Sequence, residues 1–400
     1  MTRNNIFPLI FMLGLSVMPV IFIHMPRTLS FLPLLFGLAM SIWWVFIKKE
    51  HITHYPKYLY CLIAVSFLCI ISVLWSIEPE GAYKQAIKVS AILLFSVPLF
   101  NLAKSLKIEP FKPFLWIFPI GIILAALLAS FELALNMPIY RATHSMNFSD
   151  HLSSAVMNRG VVSTTLLYFI SILFINNMDN GKILKYALMA TTTLSVIMML
   201  VLTQCQSAQM AFVAGVIIMF ALPHRHKCSY KLLAIVLALV MFATPFIVDL
   251  LFIYLMDNAQ EIAWLKDGYA GPRVEIWNFI MQYALNNPLY GYGIEATRFI
   301  KEFEHDYIYH KGPTILHPHN FSIQIWIDFG IIGITAASAL IAFTINEISK
   351  LALSDRKVII SLLIATIAVS STGYGLWQSW WIGEFMLMIA LCAFIAKDKK

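Results

Sequence analysis

The chain has 400 residues, of which 60% are hydrophobic and 12% charged, with 29 Phe and 10 Trp, and a mean hydropathy of +0.77. Soluble domains carry about a quarter charged residues, so this composition excludes a cytosolic enzyme, a secreted module and a disordered scaffold. It indicates an all-α polytopic membrane protein. The formal charge of +7 sits in short loops between apolar runs and does not indicate a nucleic-acid partner.

Apolar runs long enough to cross a bilayer fall at 6–24, 31–47, 58–77, 87–103, 114–135, 161–176, 186–203, 208–222, 232–256, 321–345, 358–374 and 377–396. They predict about twelve transmembrane helices. Arg3 precedes the first run and no small-residue cleavage site follows it, so it reads as a retained helix rather than a signal peptide. Lys48, Lys49 and Lys57, then Lys104, Lys107 and Lys112, then Lys182 and Lys185, then Arg225, Lys227 and Lys231, then Lys350, Arg356 and Lys357 fall in alternate loops. The positive-inside rule places those loops and both termini in the cytoplasm. Membrane lipids are then the surroundings of most of the chain. Three of the five cysteines lie in apolar runs and none shows CxxC spacing, so neither a disulfide framework nor a metal site is expected.

Along the chain, the first residue of chemical interest is Lys88, in AIKVSAILLF, placed at the outer end of the fourth span. A cation there must snorkel, pair or line a wet cavity. An outward segment at 136–160 follows, with Arg159 in MNRG at its edge. Arg159 is either an interfacial snorkelling arginine or an anion ligand. A much longer outward loop spans 257–320, between a 1–256 unit of nine helices and a 321–400 unit of three. Within it, Val274–Asn287 places Trp277, Ile280, Met281, Ala284 and Leu285 at helical spacing, predicting an amphipathic helix that lies in the interface or caps the bundle. Arg273 stands just before that helix, where a guanidinium can bind phosphate oxygens in bidentate fashion, or can equally be a solvated loop residue. A second short helix, Glu295–Phe303, carries Arg298 and Lys301, and Arg298 joins the candidate substrate-binding cations.

The end of this loop reads HPHNFSIQIWIDFGIIG, from His317 to Gly333. Two histidines flank Pro318 at the outer start of a membrane helix. A neutral imidazole there can take a proton from a hydroxyl near physiological pH, and Asn320 can cap the helix or orient a substrate. The plainer reading is a pair of interfacial histidines at a capped helix start. Asp328 and Glu384 lie inside spans and either pair within the bundle or serve a site. There is no Walker-type glycine loop, and no DxD or HExxH on the outward side, so neither metal nor nucleotide cofactor is expected. Histidine with scattered Arg and Lys suits activation of an acceptor hydroxyl while cations stabilise a phosphate leaving group.

His319–Asn320, nine residues, Gly330, two residues and Gly333 resemble the HN(x9)GxxG signature of the bacterial O-antigen ligase family, in its wider ligase/polymerase grouping. Arg273 with Trp277, Pro288 and GYG at 291–293 resembles that family's RxxxW…P…GxG stretch. The resemblance implies a membrane-embedded glycosyltransferase of the C type with a large periplasmic loop, in the inner membrane. Its donor would be a polysaccharide on undecaprenyl diphosphate and its acceptor the lipid A–core oligosaccharide. The reaction would be inverting, without metal, on the periplasmic face. By position, His319 is the general base, with His317 beside it, Arg273 binds the diphosphate, and Lys88 resembles the family's lysine in an early span. One departure stands out: the TxSR-like stretch between spans seven and eight reads LTQCQSAQ here. Gln206 occupies the family arginine's position, either as a weaker ligand or as a polar turn residue. An O-antigen polymerase is the alternative within the same grouping. A transporter or flippase of lipid-linked sugars is the alternative from another class.

Overall fold

The computed structural model describes residues 6–258, 270–300 and 315–396, and all regular structure among them is helical. In chain order the helices are α1 (Ile6–His24), α2 (Leu32–Ile42, continued by a π-turn to Ile47), α3 (Pro56–Ile71), α4 (Pro79–Phe95) and α5 (Val97–Ser105). Next come α6 (Ile117–Ala134), the short α7 (Pro138–Thr143), α8 (Asn158–Asn177), α9 (Lys182–Leu202), α10 (Gln206–Ala221) and α11 (Lys227–Asn258). The last four are α12 (Ala270–Ala284), α13 (Phe321–Ser349), α14 (Leu353–Thr372) and α15 (Ser379–Ile395). The protein is thus an all-α polytopic membrane protein, with a helix at each of the twelve expected spans. Among the described residues, eight helical segments are long and apolar enough to cross a membrane, and the segment containing α2, and α10 and α15, are shorter apolar helices. The first turn of α14 carries Asp355, Arg356 and Lys357, which lowers its apolar content.

The largest departure from the expected boundaries is at the fourth span. Its helix begins at Pro79, not near residue 87. Proline is preorganised for the first helical turn, and Glu80 pairs with Lys84 one turn on, so a polar stretch is helical without an apolar pattern. Lys88 therefore sits well inside α4, not at its end, and its side chain is exposed.

Two apolar cores organise the bundle. In the larger, every residue of α8 from Gly160 to Ile175 is buried, surrounded by α1, α6, α9, α10, α14 and α15. Small residues let these helices approach closely: a Cβ at Gly121 of α6 would lie 2.2 Å from the Ser16 carbonyl of α1. The smaller core joins α3, α4, α11 and α12 to the first half of α13. Ile280, Met281 and Ala284 of α12 are buried there, while Leu285 follows the helix end and is exposed.

Helix α13 is broken at Gly330, whose backbone (φ 58, ψ −150) is not helical. A break at that depth, about 13 Å from the helix start at 1.5 Å per residue, strands backbone groups that hydrocarbon cannot satisfy. The segment Pro288–Gly293 satisfies them. Tyr292 N donates to Ile327 O (2.9 Å), Gly293 N to Asp328 O (2.9 Å), Ile331 N to Pro288 O (2.8 Å) and Ile332 N to Leu289 O (3.3 Å). Only glycine fits this crossing: a Cβ at Gly330 would lie 2.5 Å from Pro288 O, and one at Gly291 2.6 Å from Ile327 O. The P…GxG and GxxG stretches of the sequence are therefore two sides of one backbone contact.

Candidate active site

The site is built around the start of α13. Asn320 is its N-cap, its Oδ1 accepting from Ser322 N (3.0 Å) and Ile323 N (3.3 Å), so its side chain is engaged in capping. His319, just before it, has φ +55, a left-handed conformation uncommon outside glycine but several-fold enriched in histidine. Its Nδ1 donates to the carbonyl of Gly373, in the turn after α14. A carbonyl only accepts, so the neutral ring carries its hydrogen on Nδ1 and leaves Nε2 with the lone pair. Trp277 Nε1 donates to Pro318 O at 2.7 Å, fixing the His–Pro–His loop to α12 from the other side.

His317 and His319 stand with ring centroids 4.2 Å apart. Burial first, and then His319, Arg298 and Arg159, together lower the His317 pKa to about 3. Burial also lowers the His319 pKa; the hydrogen bond to Gly373 opposes this and Arg273 adds to it. Both rings are neutral at physiological pH, as a base requires. His317 packs on Gly375, where a Cβ would come within 3.0 Å of its Cγ. Its place is between the loop and the turn.

Two guanidinium groups act on this cluster. Arg273 lies in the first turn of α12, not ahead of it, four residues before Trp277 and so on the same helix face. Its charge acts on His319, on Tyr374 and on Cys205. Arg159, in the first turn of α8, lies 5.8 Å from the Trp380 ring centroid and acts on His317 and Tyr374. Tyr374 stands edge-on against the same Trp380 ring at 4.7 Å. Burial pushes its phenol pKa up, and Arg159 and Arg273 pull it back. Sequence reasoning missed Gly373, Tyr374 and Trp380. A signal was present: GYG occurs twice, at 291–293 and at 373–375.

The other candidates lie further out. Arg298 pairs with Glu295 at 2.9 Å and is 46% exposed, reaching the site through its effect on His317. It lies on a 3-10 turn, Ala296–Phe299, where a longer helix was expected; Lys301 lies outside the described residues. Lys88 acts on Glu295, whose carboxyl is raised by burial against the pull of Arg298 and Lys88. Lys88 thus belongs to the Glu295–Arg298 cluster. Gln206 opens α10 with its side chain exposed, between the buried Cys205 and Ser207. Ser207 approaches the Gly373 turn, its Cβ 3.5 Å from where a Gly373 Cβ would be. Glu384 is fully buried and accepts from Ser163 Oγ at 2.8 Å, so it pairs inside the bundle.

The fold and this cluster define a polytopic membrane protein with a pair of histidines at the start of a helix and two arginines acting on them. Residues 191–338 match a family model described as O-antigen ligase, a stretch that contains Gln206, Arg273, Arg298, both histidines and the Gly330 break. The chain is also similar to proteins named "Putative polysaccharide ligase" in Rickettsia. The Rickettsia typhi protein is 27% identical over 370 residues, covering 88% of this chain and 87% of that protein. Those of Rickettsia prowazekii and Rickettsia conorii are each 25% identical, covering 88% and 82% of this chain and 87% and 77% of theirs. These matches support the O-antigen ligase family for this chain, as the His319–Gly333 and Arg273–Gly293 motifs implied.

Proposed function

We propose that the protein is a glycosyltransferase that moves a polysaccharide from undecaprenyl diphosphate to the lipid A–core oligosaccharide, at the periplasmic face of the bacterial inner membrane. The observation that carries this reading is the His319 ring, with Nδ1 held by Gly373 and Nε2 left to accept a proton, in a cluster on which Arg273 and Arg159 act. A sugar hydroxyl is a weak nucleophile at neutral pH, and removing its proton as the bond forms contributes about 10²–10⁴-fold in rate. In the proposed step the acceptor oxygen bonds to the anomeric carbon from the face opposite the diphosphate. Its proton passes to His319 Nε2, and the bond from the anomeric carbon to the phosphate oxygen breaks. Undecaprenyl diphosphate leaves with the bonding electrons, and the configuration inverts. Arg273 and Arg159 neutralise the leaving group, with Arg298 as an outer cation. This step is written without a divalent metal.

The names of the Rickettsia relatives, which speak of a polysaccharide ligase, favour transfer over transport. The decisive experiment supplies purified full-length protein with undecaprenyl diphosphate-linked polysaccharide and lipid A–core, in excess EDTA. Capped lipopolysaccharide and released undecaprenyl diphosphate are the expected products. Activity that disappears with chelator and returns with magnesium or manganese refutes the metal-independent step. Polymer extended on the lipid carrier, with lipid A–core untouched, identifies a polymerase instead.

A further inference from the structure

Gln324 and Asp328 lie four residues apart in the first half of α13, on one helix face, and both are buried. Polar side chains at that depth need partners, and both find them in one place. Gln324 Oε1 accepts from Leu376 N at 2.7 Å. Asp328 Oδ2 accepts from Trp377 Nε1 at 2.6 Å, and its Oδ1 from Ala296 N at 3.1 Å. Leu376 and Trp377 belong to the same turn as Gly373, whose carbonyl takes the His319 hydrogen. Gln85 of α4 adds a third tie to this turn, donating to Trp377 O at 2.7 Å. The contacts close a ring: α13 holds the 373–378 turn, the turn holds His319, and His319 leads back into α13 through its N-cap.

We infer that Gln324 and Asp328 are positioning residues for the base, holding the 373–378 turn so that the Gly373 carbonyl keeps His319 in one tautomer and one orientation. The inference rests on the glycosyl-transfer reading above. An imidazole not held through Nδ1 distributes its hydrogen between both nitrogens and its ring among several orientations; the partners that orient metal-bound histidines in the same way are worth about 10–100-fold in affinity or activity. Release from Gly373 also moves the titration. The carbonyl favours the protonated ring, so its loss lowers the pKa at which His319 becomes a base. The ionisable groups that act on the ring are otherwise unchanged: Arg273 of α12 and His317 of its own loop, with Arg159 of α8 and Arg298 acting on His317 and Tyr374 adjoining the acceptor carbonyl.

The test measures kcat and KM against pH for full-length protein, with undecaprenyl diphosphate-linked polysaccharide and lipid A–core as substrates. Gln324→Leu should lower kcat about 10–100-fold while donor KM stays within about threefold, the signature of an interaction used in the transition state. The acid limb of the kcat profile should move to lower pH, and Gln324→Glu, which keeps an acceptor oxygen, should recover most of the rate. Trp377→Phe, which removes only the indole donor, should move the limb in the same direction and decides the matter if Gln324→Leu does not accumulate. Activity reduced only in proportion to membrane protein, with the acid limb unmoved, overturns the inference. If His319→Ala is inactive while Gln324→Leu and Trp377→Phe keep wild-type kcat, the inference fails and the transfer reading stands. If His319→Ala still transfers, both fail.

Discussion

His319 gives its Nδ1 hydrogen to the carbonyl of Gly373, 54 residues further along the chain. That one bond settles which nitrogen of the ring is free, and with it the chemistry available at the start of α13. His319→Ala should reduce transfer by at least about 10² with membrane levels and donor binding retained. His317→Ala should cost far less, because that ring packs on Gly375 and is held neutral. Burial depresses the His319 pKa, so the basic form is present above a value lower than the ordinary 6.5 or so. Transfer should hold through pH 7 and fall with a midpoint below the ordinary 6.5 or so. In vitro turnover from pH 5 to 8 checks this; a midpoint above 7 contradicts it.

Arg273 acts on the base and on Tyr374 from α12. Only a guanidinium offers a planar fork to two phosphate oxygens, so Arg273→Ala should lose more activity than Arg273→Lys, and Arg273→Lys should remain below wild type. Steady-state rates at matched protein levels measure the order. Full activity in Arg273→Ala removes this residue from the site.

Gly330 and Gly181 form a natural pair for testing the broken helix. Gly330 has a backbone conformation that is essentially restricted to glycine, costing other residues about 1–3 kcal/mol, and Pro288 O leaves a Cβ no room. At Gly181, before α9, an added Cβ meets nothing within 4 Å. Gly330→Ala should lower thermal stability in detergent and deplete folded protein, whereas Gly181→Ala should do neither. Equal melting curves for the two variants would refute the backbone crossing.

The charge pattern of the loops predicts an orientation for the chain. Cys228, exposed at the start of α11, should resist a membrane-impermeant maleimide in intact spheroplasts. A cysteine introduced at the exposed Asp150 should react readily. The opposite result inverts the topology and places the His319 cluster on the cytoplasmic side.

The positions of the helices were legible because each span is an apolar run, and hydrocarbon imposes that composition whatever the neighbours are. The start of α4 was not, because Pro79 and the Glu80–Lys84 pair make a helix from polar residues. In the site, histidine, arginine and the paired glycines carry their chemistry in their side chains or in their lack of one, so His319, Arg273 and Gly330 could be found by reading. The acceptor for His319 is a main-chain carbonyl, which any residue possesses. Its distance in sequence hid it further. Lys88 was read as a cation that must snorkel, pair or line a wet cavity, and Glu295, on which its charge acts, lies far along the chain, where spacing gives no guide.

The seam at Gly330 also sets an order of events during biosynthesis. Translation produces Pro288–Gly293 before Ile327–Ile332, so the four hydrogen bonds between them cannot all form until the ribosome has passed Ile332. A nascent chain arrested between these two stretches holds one half of the seam without the other. The site around His319 is likewise completed late, only when the 373–378 turn has been made.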